Sequence, residues 1–177
     1  MPNGQLAYCL ALVVVESRKA TMLEVDLRRV LKRSRAFHWA DEGKIVRGNF
    51  LSQMSSADLR IHVSAALITS TNQAKVREML LRERLLPSAV HDGVTRLIIE
   101  HRSHSQDNDE RAIVRDWFRL TRHKMVDIQH VSKQMPLTWL ADAASGIWSD
   151  TLIGRGEGSL EKLANSRRLA YAWWQHA

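Results

Sequence analysis

Short apolar runs alternate with longer amphipathic ones along this chain, and no other feature restricts its fold as much. Strands gather apolar residues over a few positions and helices space them at three and four, so the alternation predicts an α/β domain. Leu6 to Val15, LAYCLALVVV, is rich in β-branched residues and reads as a strand. Met22 to Arg33 reads as a helix with Leu23, Leu27, Val30 and Leu31 on one face and charged residues on the other. Glu42 to Met54 is a second helix, with Val46, Phe50 and Met54 at equal steps. Arg60 to Ile68 is a strand, Ser70-Thr71-Asn72 supplies a cap, and a helix from Gln73 to Leu86 is stopped by Pro87. Arg96 to Glu100, RLIIE, is a short buried strand, and SQDNDE opens the next helix. Met125 to Val131 is a strand, Pro136 starts an apolar helix, and after the turn GRGEG a last helix runs from Leu160 to Trp174.

This order of elements predicts right-handed crossovers and one mostly parallel or mixed sheet with helices on both faces. With 177 residues, 45% of them hydrophobic, the chain has enough material for one packed domain spanning residues 1–177. No apolar run approaches the roughly 20 residues of a membrane span, so no membrane partner is expected. No basic segment precedes the first apolar run, as it would in a leader peptide, and the single cysteine, Cys9, offers no internal disulfide. A reducing cytoplasm is the expected location. Cys9 itself reads as an inert core thiol.

The net charge is +7 and the pI about 10.1, with 19 Arg against 7 Lys. Arginine's planar fork suits phosphate, which makes nucleic acid the favoured partner. An Arg-rich composition also arises from GC-rich coding, and the basic residues are spread over the helices instead of forming one tract. The terminal LAYAWW segment, read as helix, is apolar enough to cover a partner such as a second copy of the chain.

Within the helix PLTWLADAASGIW, Asp142 sits among Leu137, Leu140, Ala141, Ala144 and Ile147. A carboxylate is costly to bury unless something binds it. Other acids collect where α/β sheets place their sites, at the carboxyl ends of strands: Glu100 ends LIIE, and His101, His104, Asp107 and Asp109 follow.

LAYCLALVVV, FHWADEG, LIIEHR with Asp107 and Asp109 downstream, and WLADAASG together resemble, in order and spacing, an uncharacterised bacterial family with a ribonuclease H-like fold. The resemblance covers nearly the whole chain, and its most distinctive motif is the closing Ala-Asp-x-x-x-Gly helix. It implies a cluster of carboxylates holding Mg²⁺ or Mn²⁺ for phosphodiester chemistry, where two cations about 4 Å apart activate a water and stabilise the leaving oxygen. Asp142 matches the late-helix acid, Glu100 the acid ending the central strand, and His38 the His of the middle motif, with Asp107 and Asp109 as further ligands. His38 would position substrate or transfer a proton. The family's opening Asp-Glu-Ser-Gly strand has no counterpart here. Either an internal methionine has been taken as the start, or this member has lost the strand and a metal ligand with it.

Each acid also has a structural reading. Asp142 could pair with Arg102 or Arg115, and Glu100 with Arg96 or Arg102. Asp107 and Asp109 suit a helix N-terminus, and His38 beside Trp39 suits packing. His101, His104 and His123 have no zinc spacing, GRGEG lacks the flanks of a phosphate loop, and no serine stands in a nucleophile elbow. The expectation is a metal-dependent nuclease or related nucleic-acid-processing protein. The alternative is a catalytically incomplete module that binds nucleic acid or protein.

Overall fold

The computed structural model describes residues 6–31, 36–68, 73–155, 158–159, 163 and 169–176. The chain is α/β, and among the described residues its strands form two sheets, where one was expected. In the first, β1 (Leu6–Val15) and β2 (Leu59–Ile68) pair antiparallel over their full lengths, from Leu6 opposite Ile68 to Val15 opposite Leu59. The second consists of β3 (Arg96–Glu100) and β4 (Asp127–Val131), parallel and in register from Arg96 opposite Asp127 to Glu100 opposite Val131.

A third strand, β5 (Leu169–His176), runs parallel to β2 and completes the order β1-β2-β5. This corrects the helix expected up to Trp174. Leu and Ala favour a helix in isolation, but Tyr171, Trp173 and Trp174 are good strand formers and the open edge of β2 gives them a ladder. The basis for expecting an apolar helix that covers a second copy falls with it.

Helices α1 (Ser17–Leu31), α2 (Lys44–Ser56) and α6 (Pro136–Leu152) cover one face of the first sheet. Leu27, Phe50, Met54, Ile61, Leu140 and Ile147 meet there with essentially no exposure. Fully burying each such side chain is worth about 1.5–3 kcal/mol, which makes this interface the main source of stability. Helices α4 (Leu86–His91) and α5 (His104–Thr121) build a second apolar cluster, where Leu86, Val114 and Phe118 pack with Leu97, and α3 (Gln73–Leu80) builds a smaller one in which Leu80 meets Ala66. The residues of β1 alternate between the faces: Ala11, Val13 and Val15 join the first cluster, Leu12 joins the second, and Tyr8 and Leu10 join the smaller one.

Pro87 does not stop its helix. A wider i→i+5 turn over Leu81–Leu85 links α3 to α4 and leaves Pro87 in the first turn of α4, where a missing N–H costs nothing. The Ser70-Thr71-Asn72 cap lies outside the described residues. Among those residues no helix is long and apolar enough to cross a membrane.

Candidate functional site

Helix α6 presents Asp142, Gly146 and Asp150 at successive turns of one face, and the segment Phe37-His38-Trp39 lies across them. Asp142 Oδ2 accepts the Trp39 backbone N–H at 2.7 Å, and its Oδ1 lies 3.1 Å from His38 Nδ1. An ionised carboxylate only accepts, so Nδ1 carries the proton. Trp39 Nε1 donates to Asp150 Oδ2 at 2.8 Å, while Arg47 donates to Trp39 O at 2.8 Å and places its guanidinium 5.0 Å from the indole centroid. The indole fills the space that a side chain at position 146 would need. Asp142 therefore ties α6 to the His38 segment, and the pairing expected with Arg102 or Arg115 is replaced by this one. His38 remains more than half exposed.

A second constellation lies at the carboxyl ends of β3 and β4. The His101 N–H continues the ladder to Val131 O at 2.7 Å, after which Ser103 caps α5 by accepting Gln106 N–H at 3.3 Å. One turn inside α5, buried Asp107 accepts the Arg102 N–H at 3.0 Å and a short bond from His101 Nδ1. Burial pushes the Asp107 carboxyl up, but the Arg102 N–H, His101 and His130 outweigh it and hold the group below the usual aspartate value of 3.8. A carboxylate depressed in the folded state stabilises fully above its unfolded pKa and loses that contribution as pH falls through the folded one. The melting temperature is therefore expected to drop as pH falls below about 4, with Asp107→Asn flattening that dependence in melts followed by circular dichroism.

Glu110, one turn further along and equally buried, forms a short ion pair with Arg77 and faces His130 Nε2 at 3.4 Å and Arg102 Nη1 at 3.8 Å. Burial works against the charge of Arg77, but Glu110 and the Tyr8 hydroxyl, 3.4 Å away, hold its pKa up. The His130 side chain projects from β4 between both carboxylates, 2% exposed, and its Nδ1 meets no hydrogen-bond partner among the described residues.

Over this buried network opens a cavity of about 550 Å³. Arg77, Arg102, Lys133 and His101 line it, together with Ser103 and Gln106 at the start of α5. Among the described residues the one acid on its wall is Glu100, which meets Lys133 Nζ at 3.4 Å. Three cations and a helix N-terminus thus point positive potential into one concavity, the arrangement that holds phosphate or carboxylate.

The expected metal ligands are engaged separately. Asp142 serves Trp39 and His38, Glu100 meets Lys133 where Arg96 or Arg102 was expected, Asp107 caps the His101-Arg102 turn, and Asp109 is exposed on α5. Among the described residues no group of three or more His, Cys, Asp or Glu side chains is disposed to hold a metal ion. Sequence reasoning missed Arg77, Glu110 and His130. Only Glu110 carried a signal, lying three residues beyond Asp107 on the same helix face.

No family model, no curated protein and no solved structure matches this chain.

Proposed function

We propose that this chain is a nucleic-acid-binding module of ribonuclease H-like type, in which the acids act as structural ties. The observation that carries the reading is the concavity lined by Arg77, Arg102, Lys133 and His101 at the carboxyl edge of a parallel sheet. Arg77 is neutralised by buried Glu110, whereas the Lys133–Glu100 pair is exposed and a phosphate can displace its carboxylate, so the charge available to a phosphate backbone comes mainly from Arg102, Lys133 and the start of α5. A net charge of +7 adds long-range attraction. What supports the ribonuclease H-like class is that two motifs carrying the resemblance, FHW and ADAASG, meet through Trp39 and Asp142.

Fluorescence anisotropy with a 20-nucleotide single strand and a 20-base-pair duplex tests this. Arg102→Gln/Lys133→Gln is expected to weaken binding about tenfold or more at 0.1 M salt and to flatten the salt slope by about 1.5. Arg119→Gln, whose partner is the exposed Asp116, should change binding little. Equal affinity for wild type and the double variant would remove the concavity from the interface. Cleavage that requires Mn²⁺ and is lost in Asp142→Asn would replace this reading with the nuclease one.

A further inference from the structure

The cations of the concavity reach it from three separate elements: Arg77 from α3, Arg102 from the turn between β3 and α5, and Lys133 from the turn between β4 and α6. They line one volume of about 550 Å³ instead of forming a row along the surface. Beneath them lie Asp107 and Glu110, each 3% exposed, and the His130 side chain, 2% exposed, so the concavity is floored by packed side chains. A phosphate inside a strand has a sugar on either side and needs a channel open at both ends. A phosphate at the end of a strand needs a single opening.

Charge along the same elements is largely offset. Arg82, just beyond α3, pairs with Glu78 at 2.7 Å, Arg96 on β3 with Asp127 at 2.9 Å, and Arg119 on α5 with Asp116 at 3.1 Å. Positive potential is thus focused on one place, where Lys133 and Arg102 are accessible at 71% and 37% exposure. Among the described residues of the wall, Ile99 is the one apolar side chain and the His101 imidazole, tied through Nδ1 to Asp107, the one ring. Sites that hold bases stack them on aromatic faces, so this wall suits the phosphate and not the base.

A phosphate within a strand carries one negative charge and two free oxygens. A terminal phosphomonoester carries about −1.5 to −2 at neutral pH and three free oxygens. Arg102, Lys133 and the start of α5 can give each of the three a charge-assisted or helix-end donor. We propose that the concavity takes the terminal phosphomonoester of a nucleic-acid strand in preference to a phosphate within it, whatever the terminal base. This rests on the nucleic-acid reading above and adds which phosphate fills the site. The extra charge competes with Glu100 for Lys133, an exposed pair of the kind that yields to a stronger anion.

The test is anisotropy at 0.1 M salt with 20-nucleotide single strands, labelled at one end and bearing a phosphate, a hydroxyl or a methyl phosphate at the other. The methyl ester keeps the phosphorus in place but removes the second charge and one free oxygen, so it separates a monoester site from one more backbone contact. The strand ending in a 5′-phosphate is expected to bind about tenfold or more tightly than the other two, with a purine or a pyrimidine at that end. A gain at a 3′-phosphate instead supports the same chemistry and makes the other end its source. In Arg102→Gln/Lys133→Gln, which alters two accessible side chains, all three strands should bind alike. Equal affinity of the native chain for the three strands at both ends overturns the proposal while leaving the backbone reading standing. A gain that depends on the terminal base, or one that survives the double substitution, overturns it as well. Failure of every strand to bind removes the nucleic-acid reading and this proposal together.

Discussion

Gly146→Ala is expected to lower stability by about 2 kcal/mol or more, although alanine is the better helix former by about 1 kcal/mol. A Cβ at this position would stand 2.3 Å from Trp39 Cδ1, 2.4 Å from Cγ and 2.8 Å from Cβ. These atoms belong to the root of the side chain and cannot swing away. Trp39 is 4% exposed and is held through its backbone N–H by Asp142, through Nε1 by Asp150, and by Arg47 against its ring. Overpacking of this kind costs about 1–3 kcal/mol, and dislodging a buried tryptophan about 3–5 kcal/mol, so the steric term exceeds the propensity gain. Urea denaturation of the two proteins decides the matter. A stabilised or neutral variant would mean that Trp39 is not seated over α6.

Glu110→Ala is the other large expected loss, about 3 kcal/mol. Among the described residues the substitution leaves the largely buried Arg77 guanidinium with the Tyr8 hydroxyl alone as partner, and leaves His130 without its nearer carboxylate. Breaking one half of a buried pair costs more than removing both, because the remaining charge keeps its desolvation penalty. Arg77→Met/Glu110→Leu should therefore recover much of the loss. Equal destabilisation of the single and double variants would show that the cost comes from packing and not from the stranded charge.

The local elements were legible where pattern and burial agree. Leu6 to Val15 and Arg96 to Glu100 are strands with the bounds the sequence implies, and the apolar stripe of α6 does face the core. What could not be read was pairing over long separations. Nothing local tells that β1 would take β2 antiparallel while β3 and β4 form a sheet of their own, or that the LAYAWW segment would complete a ladder. Pro87 was misread because its effect depends on the wider turn before it, which relocates the residue to the start of a helix.

The candidate site divides along the same line. That Asp142 needs a partner follows from its apolar neighbours, but that the partner is a backbone N–H more than a hundred residues away does not. Asp107 was legible as an N-terminal acid, since its place in the first turn of α5 is local. The Arg77–Glu110 pair and the buried His130 bring together residues from three elements, and no spacing rule encodes them.

The central claim is that the concavity at the end of β3 binds phosphate backbone, and the salt dependence of oligonucleotide affinity tests it most directly. Measured by anisotropy between 50 and 300 mM salt, log Kd should rise steeply with log salt in the native chain. Arg102→Gln/Lys133→Gln should take about 1.5 off that slope while both proteins melt at similar temperatures. An affinity that ignores salt, or a slope unchanged by the two substitutions, would contradict the account.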